Sequence, residues 1–348
     1  IEAVAQVPPS SEQMPRTRIA KMDQMPDSDR LFVSDLRGRL YELKDGQARS
    51  FMNFQELKPD FINTPGLATG FGSFTFHPEF SSNRKMYTTH TESAGSAEAD
   101  FGYADTVKVT LQWVITEWTV RNDFTGVEAA NAKELLRINM VSGIHGVQEI
   151  TFRPNGSPAD EDYGLLYVSV GDGGCVINGH PDIAMGPAQI WGSIIRIDPS
   201  GSNSRNEAYG IPPSNPFFRE GTGLPEIFAH GFRNPHRITW DHNGRMLATG
   251  IGQHRVEEVN WILPGNDYGW PIAEGTFQIL TEINMSEVYA LPDAEIFQTL
   301  TYPVIQYDHD EGNAISGGFE YLGEDIPVLR DKYFFGDIVR GRLFYTNL

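Results

Sequence analysis

The sequence contains a single cysteine, Cys175, in 348 residues. It therefore has no internal disulfide framework and no zinc or iron–sulfur site built from several cysteines. It also lacks any apolar run of about 18 residues, the length of a membrane-spanning helix, so we expect no membrane insertion. Basic residues are scarce, because 27 Lys and Arg against 46 Asp and Glu give a net charge of −19. Such a surface repels phosphate backbones, and we expect no nucleic-acid partner.

Several common catalytic motifs are absent as well. The sequence has no P-loop, no His-Glu-x-x-His zinc motif and no Gly-x-Ser-x-Gly nucleophile elbow. It also has no Gly-x-Gly-x-x-Gly that follows a predicted strand. These absences exclude the nucleotide hydrolases, zinc peptidases, serine esterases and dinucleotide-binding enzymes that carry those motifs.

Turn-forming residues are abundant: 35 glycines and 22 prolines are spread along the whole length. They separate short stretches rich in β-branched and aromatic residues, which is typical of many short strands joined by turns. Residues 31–34 and 39–43 predict a hairpin across the turn Leu36-Arg-Gly-Arg. Only residues 128–136, dense in Ala, Lys, Glu and Leu, predict a helix. We therefore expect an all-β protein.

A degenerate repeat refines this expectation. Segments that begin at Gly72, Gly146 and Asn234 each contain a strand ending on an aromatic residue, a turn and a second strand. One such hairpin per unit is typical of a radial array of sheets, and the length suits six units of four strands with added loops. We predict a six-bladed β-propeller of four-stranded antiparallel blades. It would be a single domain over residues 1–348, with residues 1–25 as an N-terminal extension or first strand.

Polar residues beside the predicted strand ends are the candidates for chemistry. His145 precedes a predicted strand and could act as a general base near neutral pH, although a lone histidine is more often structural. Asp172 lies in the glycine-rich turn after the next strand, where a carboxylate could orient a histidine. An ordinary Asp-Gly turn explains Asp172 equally well. Arg233 lies in a turn fixed by proline, where it could bind a ligand oxyanion or instead cap backbone carbonyls.

Two further segments offer ligand-binding groups. Residues 250–260 contain exposed backbone carbonyls and the neighbouring carboxylates Glu257 and Glu258, oxygen ligands of the kind that calcium prefers. Residues 264–271 are aromatic and rich in turns, which indicates either blade scaffold or a surface that stacks on a sugar.

These segments together resemble the glucose/sorbosone dehydrogenase family. The similar motifs are Gly231-Phe-Arg-Asn-Pro, then Gly-Gln-His-Arg-Val-Glu-Glu-Val-Asn ending at Asn260, then Asn266-Asp-Tyr-Gly-Trp-Pro. Further matches lie at residues 74–80, 191–198, 211–217 and 335–342, so the resemblance extends from about Leu31 to the C-terminus. The family comprises soluble aldose dehydrogenases that use pyrroloquinoline quinone (PQQ) on a six-bladed propeller, and the resemblance implies the same fold here.

The resemblance also implies a role for each matching residue. His145 would be the catalytic base that removes the proton of the sugar's anomeric hydroxyl as hydride passes to PQQ, and Asp172 would orient that base. Arg233 and Asn234 would contact the quinone oxygens of PQQ, and His236 would lie in the same cofactor-binding segment. The implied calcium ligands are the carbonyls of Gly252 and Gln253 and, at a second calcium ion, the carboxylate of Glu258.

Three features depart from the family pattern. His236 replaces the glutamine that follows Arg-Asn-Pro in the glucose-oxidising members, and the other two departures remove cations. Gln148 and Glu149 stand where members usually have Gly-Arg, so an anion replaces a cation. Leu322 follows Tyr321 where members commonly have Lys or Arg, which pairs with a PQQ carboxylate. PQQ has three carboxylates, so the loss of cations in a protein with a net charge of −19 predicts weakened cofactor binding.

The sequence as a whole predicts PQQ- and calcium-dependent oxidation of an aldose to its lactone. The expected partners are a small-molecule sugar substrate and an electron acceptor, and the expected assembly is a monomer or homodimer. The alternative is a non-catalytic propeller of the same superfamily that binds a protein or glycan partner. Because the first residue is Ile1 rather than Met, we interpret the N-terminus as processed or trimmed and expect a periplasmic or secreted protein.

Overall fold

The structure is a computed structural model that describes residues 5–66, 68–219 and 221–348. It divides into two compact units: Ile1–Leu166 with Asp198–Gly210, and Tyr167–Ile197 with Ile211–Leu348. The α-helices of the described residues are three single turns: α1 (Phe54–Leu57), α2 (Phe80–Asn83) and α3 (Glu295–Gln298). None of the described helices is long and apolar enough to cross a membrane.

The described strands form six antiparallel sheets, four with four strands and two with three. This arrangement confirms the all-β, propeller-type fold class. The two three-stranded sheets differ from the four strands expected of every blade, and one of them is an insertion within the chain segment of another sheet. Both belong to the second unit.

The first unit contains two complete four-stranded sheets in which the strands follow chain order. The hairpin predicted over residues 31–43 is confirmed, because Leu31 pairs with Leu43 and Asp35 with Arg39 across the turn. The first repeat segment is a hairpin as well, with Phe76 opposite Met86. The strands of this unit are β1 (Ile19–Gln24), β2 (Leu31–Asp35), β3 (Arg39–Lys44) and β4 (Gln47–Asn53), then β5 (Phe71–Phe76), β6 (Lys85–Ser93), β7 (Leu111–Thr119) and β8 (Lys133–Met140), and finally β9 (Glu149–Phe152).

The helix predicted over residues 128–136 is wrong. Ala129–Asn131 form one 3-10 turn, and β8 then pairs with β7 along its whole length. The consecutive residues Leu135 and Leu136 are both fully buried, which suits a strand covered on both faces. Pairing with a long neighbouring strand and burial of both leucines outweigh the helix propensity of the local sequence.

An aromatic cluster forms the core of the first unit. Phe32 is completely buried and makes edge contacts with Phe51 and Phe76, with ring centroids 5.0 and 5.1 Å apart. These residues come from β2, β4 and β5, so the cluster joins the first sheet to the second. The burial of large aromatic side chains is the main stabilising contribution here.

The second unit contains the strands that follow β9. The repeat segment that begins at Asn234 is confirmed as a hairpin, because Trp240 pairs with Met246. A small three-stranded sheet (residues 273–289) lies in the chain between two neighbouring strands of the four-stranded sheet that begins at Pro235. The strands are β10 (Leu166–Val170), β11 (Ser193–Ile197), β12 (Ile227–His230), β13 (Pro235–Trp240), β14 (Met246–Gly250), β15 (Val256–Trp261), β16 (Ala273–Glu274), β17 (Phe277–Leu280), β18 (Asn284–Tyr289), β19 (Ile305–Asp308), β20 (Ile315–Tyr321), β21 (Lys332–Asp337) and β22 (Arg342–Asn347).

Replacing the central aromatic residue of the first unit tests its packing. We expect Phe32→Ala to lower the free energy of unfolding by about 3–5 kcal/mol, because it removes a fully buried ring and leaves a cavity. Met22→Ala, at a side chain that is 63% exposed on β1, is the control and should cost less than about 0.5 kcal/mol. Urea denaturation followed by circular dichroism measures both. Equal losses for the two variants would contradict this account of the core.

Candidate active site

A polar cavity lies in the second unit, beside the ends of β13, β14 and β15. Its empty volume is about 310 Å³, a figure that includes open solvent at its mouth. We call it the Arg233 cavity. Its lining residues are Gly231, Phe232, Arg233, Gly250, Ile251, Gly252, Glu258, Tyr268, Trp270, Ala273 and Glu274.

Three hydrogen bonds fix the side chain of Arg233 in the cavity wall. Nε donates to the side-chain oxygen of Gln253 at 2.7 Å, and Nη1 donates to the carbonyls of Ile251 and Gly252 at 3.0 and 2.7 Å. Nη2 donates to no described residue, so one arm of the guanidinium remains for a ligand. Burial lowers the pKa of Arg233, and the negative charges of nearby carboxylates, Asp172 first, oppose that shift. Arg233 thus caps carbonyls, one of the two roles considered from the sequence, and also presents a donor to the cavity.

The loop that supplies Gly252 and Gln253 is anchored by a carboxylate. Oε1 of Glu274 accepts hydrogen bonds from four consecutive backbone N–H groups, those of residues 253–256, at 2.8–3.1 Å. A Cβ atom at Gly252 would lie 1.8 Å from the carbonyl oxygen of Val256, so only glycine fits there. Glu274 therefore sets the conformation in which the carbonyls of residues 251 and 252 face Arg233.

A second carboxylate, Glu258, lines the same cavity. Its Oε1 accepts from the backbone N–H of Gly275 at 2.5 Å, and its Oε2 accepts from the side chain of Asn260 at 3.0 Å. Removal from water, and then repulsion by Glu274 and Glu257, raise the pKa of Glu258 to about 7. The other oxygen of Glu274, Oε2, is buried and has no hydrogen-bond partner among the described residues. Among the described residues, the hydrogen-bond partners of Glu258 and Glu274 are backbone N–H groups and the amide of Asn260, and none of them is a cation.

Asp172 lies in the turn that follows β10 and is almost completely buried. Its Oδ1 accepts from the N–H of Gly174 at 2.7 Å, and its Oδ2 accepts from the indole N–H of Trp270 at 3.2 Å. Its own backbone N–H donates to the carbonyl of Arg233 at 2.8 Å. The structure thus brings Asp172 together with Arg233, Gly252, Gln253 and Glu258 in one unit, and Asp172 makes more contacts than an isolated Asp-Gly turn would require.

Asn234 and His236 follow Arg233 at the start of β13, and both side chains are buried. The backbone carbonyl of Asn234 accepts from the N–H of Ile251 at 3.1 Å. This bond connects the turn before β13 to the loop that follows β14. Burial, and then the charge of Arg237, lower the pKa of His236 well below its usual value. His236 is therefore neutral near pH 7, and neither residue lines the Arg233 cavity.

His145 belongs to the first unit, in the loop between β8 and β9. It is 8% exposed and has a backbone φ of +50°, an uncommon conformation for a residue with a side chain. Its neighbour Gly146 lies against the indole of Trp113 so closely that a Cβ atom would be 2.0 Å from the ring nitrogen. Thr69 donates a side-chain hydrogen bond to the carbonyl of Gly143 at 3.2 Å. These contacts of its neighbours fix the backbone conformation of the loop. A residue other than glycine that is held at a positive φ by its surroundings is a feature found at functional sites.

The two departures that remove cations have different surroundings. Glu149 is buried and forms an ion pair with Lys21 at 2.5 Å, and it also accepts from the hydroxyl of Ser73 at 3.2 Å. Its negative charge is therefore compensated within the first unit. Leu322 follows β20 and is 50% exposed, so this position offers no cation to a ligand.

Two residues of the site were missed from the sequence. Glu274 gave no signal, because its partners are backbone groups 18–21 residues earlier in the chain. Trp270 was noted only as part of an aromatic, turn-rich segment that was either scaffold or sugar-stacking surface. The structure shows it lining the cavity, with its ring centroid 5.9 Å from the guanidinium of Arg233.

The chain is thus an all-β protein of the propeller type, with an arginine and two carboxylates around one cavity of its second unit. The sequence model described as "Glucose / Sorbosone dehydrogenase" matches residues 17–348. The chain belongs to this family, which confirms the resemblance recognised from its motifs.

Individual relatives support the same placement. HIPL2 protein of Arabidopsis thaliana is 28% identical over 357 aligned positions, which cover 89% of this chain and 49% of that protein. Aldose sugar dehydrogenase YliI of Escherichia coli is 24% identical over 88% of this chain and 73% of its own length. The chain spans about half the length of HIPL2. The PQQ-bound aldose sugar dehydrogenase of Streptomyces coelicolor has a similar fold, with a TM-score of 0.67, 19% identity and coverage of 100% of this chain and 80% of that chain.

The anchoring role of Glu274 can be measured directly. We expect Glu274→Ala to speed hydrogen exchange of the amides of residues 253–256 by about tenfold or more, because each loses its acceptor. Glu274→Gln keeps one acceptor oxygen and should have a smaller effect. Glu287→Ala is the control, since Glu287 pairs only with the side chain of Arg255 on the same loop. Unchanged exchange in Glu274→Ala would contradict the anchoring role.

The raised pKa of Glu258 predicts a specific dependence of stability on pH. Because the pKa is 4.5 in the unfolded chain and about 7 in the fold, the folded state binds more protons between these values. The contribution of Glu258 is therefore complete below pH 4.5 and is lost as the pH rises through 7. We expect Glu258→Gln to flatten the fall of the melting temperature between pH 5 and 8 in the presence of a chelator. Glu282→Gln, at an exposed position, should leave the slope unchanged, and an unchanged slope in Glu258→Gln would overturn the assignment.

Proposed function

We propose that the protein oxidises an aldose sugar to its lactone with PQQ and calcium. The observation that carries the proposal is the Arg233 cavity, where a fixed guanidinium presents one unused donor arm beside the indole of Trp270. Membership of the glucose/sorbosone dehydrogenase family supports a sugar dehydrogenase, and the PQQ-bound relative supports this cofactor.

The residues of the cavity fit a planar ligand that is rich in oxygen. The Nη2 arm of Arg233 can donate to a quinone or carboxylate oxygen, and charge-assisted bonds of this kind are strong. The indole of Trp270 and the ring of Tyr268 supply flat apolar surface next to that donor. When bound, PQQ would supply the two-electron acceptor for the hydride from the sugar carbon, and it would afterwards return the electrons to a separate acceptor.

The carboxylates of the cavity fit a divalent cation. Glu274 has a buried oxygen that has no partner among the described residues. A cation beside Glu258 would offset the desolvation and the repulsion that raise the pKa of this carboxyl. The carbonyl of Gly252 already accepts from Arg233, so we propose that calcium is held chiefly by Glu258 and Glu274. No group of three His, Cys, Asp or Glu side chains in the described residues forms a metal site by itself. Backbone or ligand oxygens would complete the shell.

The roles of His145 and Asp172 rest on the family resemblance. His145 would take the proton of the anomeric hydroxyl, because a neutral imidazole accepts a proton near pH 7. The family resemblance gives Asp172 the role of the carboxylate that orients the base, and within the second unit this carboxylate is held by Gly174 and Trp270. We propose a periplasmic or secreted location for this activity, with the acidic surface suited to a neutral sugar substrate.

Activity with added cofactors tests the proposal. Protein mixed with PQQ and calcium should reduce an artificial electron acceptor in the presence of aldoses, and His145→Ala should lower kcat by about 100-fold or more. His242→Ala is the matched control, because His242 is an exposed histidine paired with Glu320. Retention of full activity in His145→Ala, or no PQQ uptake at micromolar concentrations by the unmodified protein, would sink the proposal.

The second candidate is a non-catalytic propeller that binds a protein or glycan partner. The exposed and uncharged Leu322 favours it, because a family cation for the cofactor is missing there. This candidate predicts sugar or partner binding that does not depend on PQQ. Calorimetry with aldoses, performed with and without PQQ and calcium, separates the two functions.

A further inference from the structure

We propose that Trp270 is a positioning residue that fixes the Asp172 carboxylate and the Arg233 guanidinium relative to each other. The inference deepens the proposed function and rests on it, because it assigns to Trp270 the preorganisation of the ligand-binding arginine and of the orienting carboxylate. All three residues belong to the second unit. Trp270 itself is 5% exposed and its backbone N–H donates to the carbonyl of Gly231 at 2.9 Å.

The first contact is the hydrogen bond from the Trp270 indole to Asp172. The indole Nε1–H is a donor only, and it lies 3.2 Å from Oδ2. The N–H of Gly174 binds the other oxygen, Oδ1, at 2.7 Å. Because the two donors bind different oxygens, they fix the rotation of the carboxylate about its terminal bond. The backbone donor cannot be removed by a side-chain substitution, whereas the indole donor can, so Trp270 is the position at which this contact to Oδ2 is tested.

The second contact is between the Trp270 ring and the Arg233 guanidinium. The guanidinium carbon lies 5.9 Å from the ring centroid, at the outer limit of a cation–π contact. The backbone adds a direct link, since the N–H of Asp172 donates to the carbonyl of Arg233 at 2.8 Å. The three residues thus contact one another in pairs. A backbone hydrogen bond joins Asp172 to Arg233, the indole hydrogen bond joins Trp270 to Asp172, and the ring contact joins Trp270 to Arg233.

The two contacts use different parts of the indole. The ring nitrogen donates to Asp172, whereas the ring face lies 5.9 Å from the guanidinium of Arg233. A phenylalanine at this position would keep an aromatic face but lose the donor. A leucine would lose both. The pair of variants therefore separates orientation of the carboxylate from support of the ligand-binding arginine.

Nuclear magnetic resonance of the protein without cofactor tests the contacts. The protein has six tryptophans, so a sample labelled with ¹⁵N in the indoles gives six resonances, and the one missing in Trp270→Phe is that of Trp270. Asp172→Asn should shift this resonance and speed its hydrogen exchange, because the charged acceptor is lost. Trp270→Leu should shift the Nε–H resonance of Arg233 more than Trp270→Phe does, because the ring current disappears. An indole resonance unaffected by Asp172→Asn would overturn the inference.

Kinetics of the PQQ- and calcium-loaded protein test the consequence. Trp270→Phe should lower kcat about tenfold while the dissociation constant of PQQ and the KM of the sugar change by less than about twofold. Trp270→Leu should in addition weaken PQQ binding by about threefold to tenfold. Trp261→Phe is the matched control with unchanged constants, because the Trp261 ring contacts Arg245 and does not line the cavity. Equal losses of kcat and PQQ affinity in Trp270→Phe would indicate a merely structural role and would contradict the inference.

The two experiments distinguish failure of the proposed function from failure of the inference about Trp270. If the unmodified protein binds no PQQ and oxidises no aldose, the proposed function fails, and the resonance experiment still decides whether Trp270 positions Asp172 and Arg233. If the protein is active but the resonances of Trp270 and Arg233 do not respond as expected, only the present inference fails. Asp172→Asn keeps the test valid even where a substitution of Trp270 prevents folding.

Discussion

The Arg233 cavity depends on one carboxylate oxygen, Oε1 of Glu274, which accepts from four consecutive backbone N–H groups. A loop in which successive N–H groups converge is stabilised by such an anion, because donors without an acceptor cost free energy, above all the buried N–H groups of Gln253 and Val256. Once the N–H groups point at Glu274, the preceding carbonyls of residues 251 and 252 point away from it and toward Arg233. The position of the arginine is thus a consequence of the position of the glutamate.

The electrostatics of the cavity follow from the same arrangement. Arg233 is the only cation among the described lining residues, whereas Glu258 and Glu274 are both anionic when ionised. A buried arginine that is bonded to carbonyls and to an amide, rather than to a carboxylate, keeps much of its positive charge for a ligand. The two glutamates contribute negative charge instead, and burial raises the pKa of Glu258. A cavity with this distribution favours an anionic ligand at Arg233 and a cation at the glutamates.

Much of the architecture could be predicted from the sequence, because turn residues and alternating hydrophobicity are local signals. The hairpins at residues 31–43 and 235–250 are examples. The helix predicted over residues 128–136 failed, since the deciding factor was pairing with β7, which is not encoded within the window. Glu274 was missed for a related reason: a carboxylate that binds backbone N–H groups leaves no pattern of side chains. Arg233 was recognised, but only the structure shows that capping carbonyls and presenting a donor are compatible.

The structure distinguishes the two positions, Glu149 and Leu322, at which the sequence lacks a cation of the family. From the sequence, Glu149 adds a negative charge where the family has a positive one, and Leu322 removes a second positive charge. In the structure the Glu149 carboxylate is bonded to Lys21 and Ser73, so it is a compensated, buried pair rather than a free anion. The added negative charge is therefore compensated, but both positions still lack the cation of the family, and the exposed Leu322 offers nothing to a carboxylate. Arg233, supported by Trp270, must therefore supply a larger share of the attraction for an anionic ligand than an arginine with a cationic neighbour would.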